Sequence, residues 1–136
     1  MIDYKTYKHL EHELTRSSGK MENLPEEILF TLKEWEVEYS DKVIVAYDAD
    51  LLVGFFRYDL GDKRPWLYAA GTYVIPEYRN KNIAFHLWDR AIISEHPNKI
   101  LAHIASDGGL RLIQRIKNKY SRIIFDISLD KKMLVA

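Results

Sequence analysis

The feature that most constrains this chain is a change of period at residue 76. The run WLYAAGTYVI (66–75) has the aromatic and β-branched character of a strand. Pro76 stops it, because proline has no N–H to give to a sheet ladder. The residues EYRNKN (77–82) turn the chain, and from Ile83 the apolar positions Ala84, Leu87, Trp88, Ala91 and Ile92 recur at helical spacing. That helix ends before Pro97. KILAHIA (99–105) then reads as a short, nearly continuous apolar strand, as in a sheet covered on both faces. A helical crossover between two strand runs makes the fold mixed α/β.

The rest of the chain fits around that unit. Tyr4, Tyr7, Leu10 and Leu14 predict a helix near 4–16, while residues 1–4 leave open one more strand at the extreme N-terminus. SSGKMENLP (17–25) reads as a loop, and EEILFTLKEWEVEY after Pro25 as a second helix with acids in its first turn. KVIVAYDADLLVGFFRYDL (42–60) is a hairpin turning at Asp48-Ala49-Asp50. After KILAHIA, SDGG precedes the helix LRLIQRIKNKY, with Asp107 as its N-cap. SRIIFDISL and KKMLVA read as two short strands about Asp130. The aromatics Trp35, Trp66, Trp88, Phe55 and Phe56 are expected in the core.

Composition sets the remaining limits. A chain of 136 residues with 47% hydrophobic and 29% charged residues is read as one soluble globular domain spanning 1–136. Twenty basic and twenty acidic side chains cancel, so no nucleic-acid partner is expected. With no cysteine there is no disulfide framework, thiolate nucleophile or cysteine-based zinc site. His9 and His12 share a helix face but lack a third ligand nearby in sequence, so no metal is expected. No apolar run reaches the ~20 residues of a membrane span, and the N-terminus is too polar for a signal peptide; the expected location is the cytoplasm.

The turn at 77–82 also carries chemistry. A helix start presents free N–H groups and the positive end of its dipole. Asn80 and Asn82 suit left-handed backbone. Ala84 keeps the first helical turn small, and Arg79 and Lys81 add positive charge beside those amides. Together they describe an anion site of diphosphate size; the alternative is a plain strand–loop–helix connection with solvated basic residues.

Val74-Ile75-Pro76-Glu77-Tyr78-Arg79-Asn80-Lys81-Asn82-Ile83-Ala84, with the order of elements, resembles the GNAT (GCN5-related N-acetyltransferase) family. Its acetyl-CoA motif runs V-x-P-x-x-R and continues as Arg/Gln-x-x-Gly-x-Gly/Ala. Arg79 and Ala84 match, while Asn82 and Asn80 stand where glycine is frequent. The resemblance implies a GNAT-like acyl-CoA N-acyltransferase fold: a central, mostly antiparallel sheet splayed at its third/fifth strands, with about four helices. It implies acetyl-CoA as cofactor, with the pyrophosphate held at Asn80, Lys81, Asn82, Ile83 and Ala84 beside Arg79. Tyr73 and Val74 would hold the pantetheine arm through their backbone. The acceptor would be a small-molecule or peptide amine, lying against the two N-terminal helices and the hairpin between the last strands. Family members often pair, so a homodimer is open.

The catalytic groups depart from the family pattern. Its acid tyrosine on the helix after the fifth strand is replaced by Ile113, which cannot donate a proton. Tyr120 is a candidate acid in its place. The third strand offers no acidic base, only Tyr68 and Tyr73. His103 on KILAHIA is the candidate base, because imidazole as a side-chain type suits that duty near neutral pH, against the alternative of a core histidine. The segment RIKNKYSR reads as a solvated face, or as a contact for the 3′-phosphate of coenzyme A. Two functions therefore compete: an N-acetyltransferase, and a catalytically inactive GNAT-like module that binds another protein.

Overall fold

The computed structural model describes residues 1–8 and 41–134. Six strands form one mixed sheet in chain order: β1 (Ile2–Lys8), β2 (Lys42–Asp48), β3 (Leu51–Leu60), β4 (Trp66–Val74), β5 (Lys99–Ile104) and β6 (Ile124–Leu129). β1 to β4 are antiparallel neighbours, whereas β5 runs parallel to β4 and β6 parallel to β5. Two helices, α1 (Ile83–Glu95) and α2 (Asp107–Lys119), make the crossovers, and one helical turn, α3 (Lys131–Leu134), follows β6.

The hairpin expected at Asp48-Ala49-Asp50 is present, with Ala49 left-handed at φ 53°. Val43 to Tyr47 are all buried, so β2 is covered on both faces. On one of those faces α1 is clamped at two points. Phe56 stacks on Trp88 with ring centroids 4.6 Å apart, and the Trp88 Nε1–H donates to Thr72 Oγ1 at 2.6 Å. At the other end of α1, Tyr58 Oη and Lys42 Nζ both donate to Glu95 Oε2, at 2.8 and 2.7 Å. A carboxylate is unfavourable at a helix C-terminus, and Lys42 offsets it there. Burial, and then the bond to Glu95, push the Tyr58 phenol well above its ordinary range.

Five expectations change. Residues 2–8 are a strand, not the start of a helix. Tyr4 and Tyr7 fit helical spacing, but pairing with β2 overrides it. Tyr7 is buried and its hydroxyl lies 3.0 Å from that of Tyr47. The remainder of that predicted helix, His9, His12, the 17–25 loop, the second predicted helix and Trp35 lie outside the described residues. KKMLVA does not begin as a strand, because Asp130 starts a helical turn: its Oδ1 accepts from Lys132 N–H at 3.1 Å and its carbonyl from Met133 N–H at 2.9 Å. The N-cap of α2 is Ser106, whose Oγ accepts from Gly109 N–H at 3.1 Å, and Asp107 sits in the first turn. β5 is not covered on both faces. Ile100, Ala102 and Ile104 are buried toward the helices, while His103 is exposed. Trp66 is only partly buried, held between Arg64 and Lys99 at 4.7 and 4.5 Å from its ring centroid.

Candidate functional site

β4 and β5 are paired only from Trp66↔Lys99 to Ala69↔Ala102. The next residue, Ala70, has no counterpart in β3, where Tyr58 pairs with Ala69 and Arg57 with Gly71. Such a bulge bends a strand. Beyond it the strands part, leaving residues 71–74 as one wall of a slot and His103 and Ile104 as the other. With the N-terminal strand counted, WLYAAGTYV is the fourth strand and KILAHI the fifth, and the splay lies between them. Gly54 lets the end of β4 lie close to β3, since a Cβ there would stand 3.0 Å from the Tyr73 carbonyl oxygen and 3.1 Å from Val74 Cγ2.

The chain leaves this slot through a tightly tied turn. Ile75 N–H donates to Val53 O at 2.9 Å, and Pro76–Tyr78 form one 3₁₀ turn. Tyr78 Oη donates to Asp48 Oδ2 at 2.6 Å, fixing the turn to the β2–β3 hairpin. Arg79 folds back: its Nε donates to Val74 O at 2.9 Å and its guanidinium lies 5.6 Å from the Tyr73 ring centroid. Lys81 Nζ lies 5.0 Å from the Tyr78 ring centroid. Asn80 and Asn82 both take left-handed backbone, at φ 62° and 64°.

Asn82 is the residue before α1, yet it does not cap it. The first turn of α1 holds no acid. His86 N–H donates to Asn82 O at 3.0 Å, but the amides of residues 80–85 donate to no backbone carbonyl among the described residues. The two helix starts therefore differ. That of α2 is capped by Ser106 and has Asp107 in its first turn. That of α1 forgoes a cap worth ~1 kcal/mol and keeps its donors and its positive dipole end uncompensated beside two basic side chains. Such a start suits an anion. The Asn82 side chain does not lie over these amides, because its Oδ1 accepts from Arg115 Nη1 on α2 at 3.0 Å.

The remaining candidates are dispersed. His103 stands on the sheet face opposite α1, the face that also carries Tyr68 and Tyr73. It is not a core histidine: its side chain is 57% exposed. Its Nδ1 lies 2.9 Å from Ser128 Oγ on β6, and its Nε2 3.6 Å from Asp130 Oδ2. Ile113 is buried in the core. Tyr120 is not brought to the slot. It follows the 13-residue helix α2, whose length places it about 20 Å from the end beside the slot. Its hydroxyl donates to the Asp89 carboxylate of α1, which also receives Lys119 Nζ at 2.8 Å.

That carboxylate is a joint between the two helices. Burial draws the Asp89 pKa upward, but the bonds from Lys119 and Tyr120 outweigh it and hold the carboxyl below its ordinary value. A depressed folded value means stability present above the ordinary carboxylate range and lost as pH falls through the depressed one. Asp89→Asn is therefore expected to unfold at lower urea than the wild type at pH 7. The gap should narrow below about pH 4 and close as pH falls through the depressed value, where the wild-type carboxyl is protonated; a gap that is constant from pH 7 to 2 would deny this charge its role.

Three features escaped the sequence reading: the bulge at Ala70, the Ser106 cap and the bridge from Arg115 to Asn82. Only the cap had a local signal, a serine three residues before Gly109.

Comparison with known proteins places this geometry. A model of the acetyltransferase (GNAT) family matches residues 6–108. The fold is similar to that of the GNAT family protein SP0256 from Streptococcus pneumoniae TIGR4, at 20% identity and a TM-score of 0.59 over 88% of this chain and 92% of that one. It is also similar to a ribosomal-protein-alanine N-acetyltransferase from Brucella melitensis biovar Abortus 2308, at 18% identity and a TM-score of 0.55 over 85% and 90%. A third similar structure is AAC(6′)-Iy in complex with a bisubstrate analogue, CoA-S-monomethyl-acetylneamine, at 16% identity and a TM-score of 0.52 over 88% of each chain. A sequence search of curated proteins returns no match. With the family match spanning well over half of its length and the splayed sheet bearing it out, the chain belongs to the GNAT acetyltransferase family.

Proposed function

We propose that this protein is an acetyl-CoA-dependent N-acyltransferase whose acceptor is a small-molecule or peptide amine. One observation carries the reading: the uncapped, acid-free start of α1, with left-handed Asn80 and Asn82, opens beside the slot where β4 and β5 part. The similar AAC(6′)-Iy structure with a coenzyme A bisubstrate analogue supports the cofactor. An aminoglycoside acetyltransferase of similar fold in complex with sisomicin supports an amine acceptor.

The residues present fit this cofactor. The amides of Asn80, Lys81, Asn82, Ile83 and Ala84, with Arg79 and Lys81, would hold the pyrophosphate, and the backbone of Tyr73 and Val74 the pantetheine arm. Bound acetyl-CoA supplies an activated acyl carbonyl and a thiolate leaving group. The chain's own part is to orient that group in the slot and leave the face bearing Tyr68, Tyr73 and His103 to the acceptor. In this reading His103 removes the proton from the acceptor ammonium. Ser128 fixes the ring through Nδ1, so Nε2, 3.6 Å from Asp130 Oδ2, moves the proton. No side-chain acid stands where the family tyrosine would, so the proton for the thiolate comes from solvent.

Ile113 favours a second reading, a non-catalytic GNAT module that binds a protein. Calorimetric titration with acetyl-CoA separates the two. One-site binding is expected, followed by thiol release with a panel of primary amines. His103→Ala is expected to lower that turnover by roughly 10²–10⁴-fold. No binding at millimolar acetyl-CoA would overturn the enzyme reading. Undiminished turnover in His103→Ala would remove the base.

A further inference from the structure

We infer that Arg115 is a cofactor-phosphate ligand and that Asn82 holds it in place before the cofactor arrives; this rests on the coenzyme A reading above. The glycine of the family motif is replaced at position 82, and a side chain there would ordinarily crowd an approaching phosphate. The structure shows where that side chain goes instead. Asn82 Oδ1 accepts from Arg115 Nη1 at 3.0 Å, across the gap between α1 and α2. The Arg115 guanidinium also lies 4.6 Å from the ring centroid of Phe85, in the first turn of α1. The ring fixes the plane of the guanidinium and the amide fixes one of its donors.

Arg111, Arg115 and Lys119 are spaced four apart on α2 and therefore share a face. Lys119 is already committed to Asp89. Arg115 is exposed, and its hydrogen-bond partner among the described residues is a neutral amide oxygen, a weaker acceptor than a phosphate oxygen. The two residues Arg115 touches, Asn82 and Phe85, belong to the same start of α1 as the amides of residues 80–85. A diphosphate resting on those amides would draw the guanidinium from Asn82 Oδ1 to a phosphate oxygen, and the asparagine would be left to solvent. Arg115 thereby supplies, from α2, attraction that offsets what the missing glycine costs.

The test uses the full chain and three probes: coenzyme A, 3′-dephospho-coenzyme A and S-acetylpantetheine. Arg115→Ala is expected to weaken coenzyme A and its dephospho form equally, by roughly 10–100-fold, the worth of a charge-assisted hydrogen bond. S-acetylpantetheine, which has no phosphate, should bind as to the wild type. Arg115→Lys should recover part of the loss, because it restores charge without the fork. Asn82→Gly should weaken coenzyme A severalfold, because Arg115 loses its anchor; affinity equal to or above that of the wild type would remove the positioning role of Asn82. Equal affinity of wild type and Arg115→Ala for coenzyme A would overturn the inference and leave the cofactor reading standing. Loss confined to coenzyme A, with the dephospho form unaffected, would move Arg115 to the 3′-phosphate and overturn its place on the diphosphate. Wild-type protein that binds neither form would remove the cofactor reading itself.

Discussion

Acetyl-CoA at a hundred times its dissociation constant is expected to raise the unfolding free energy by about 2.7 kcal/mol, and Ala84→Leu to erase the gain. For a chain of this size the gain corresponds to a rise of roughly 10 °C in melting temperature. Ala84 is chosen for its place. It is in the first turn of α1, two residues past the left-handed Asn82, and only partly buried. A leucine there fills the space in which a phosphate would approach the amides of residues 82–84. The substitution has its own cost, since Ala84 packs against the core and overpacking takes ~1–3 kcal/mol. The comparison is therefore between each protein with and without ligand, not between the two proteins. A full ligand-induced rise surviving in Ala84→Leu would show that the anion sits elsewhere and would take the cradle at the start of α1 with it.

The parts of this fold legible in the sequence were those fixed by local chemistry. Pro76 can only end a ladder, and β4 ends two residues before it, at Val74. Asn80 and Asn82 were expected in left-handed backbone, and both are there. The helix from Ile83 stops at Glu95, before Pro97, with His96 left-handed. What the sequence could not give were the features set by partners distant in the chain. Tyr4 and Tyr7 satisfy a helical period as well as a strand, and only the register with β2 decides between them. Ala70 becomes a bulge because β3 offers it no counterpart, a fact about two strands and not about alanine. His103 and Ser128 are 25 residues apart and meet only because β5 and β6 pair in parallel. Arg115 looked like part of a solvated stretch until α1 placed Asn82 beside it. The motif could thus be located from sequence, while the side chains that complete it could not.

The clamp between α1 and β4 sets the largest effect on stability. Trp88 is 4% exposed, stacks on Phe56 at an interplanar angle of 9°, and donates to Thr72. Truncating a buried tryptophan costs ~3–5 kcal/mol. With a urea m-value of roughly 2 kcal/mol/M, Trp88→Ala should move the unfolding midpoint down by about 2 M. Trp88→Phe is milder: it keeps an aromatic ring against Phe56 but loses the bond to Thr72, worth about 1 kcal/mol, together with part of the indole's volume. Thr72 lies in β4 beyond the bulge, within the wall of the slot. The phenylalanine variant should therefore remain folded and yet bind coenzyme A several times less tightly, because the start of α1 and the slot wall are no longer held in register by a hydrogen bond. A midpoint for Trp88→Ala within about 0.3 M of the wild type would mean that α1 is held to the sheet elsewhere. Unchanged coenzyme A affinity in Trp88→Phe would mean that the amides at residues 80–84 keep their place without this bond, through the ties of Tyr78 to Asp48 and Arg79 to Val74 alone.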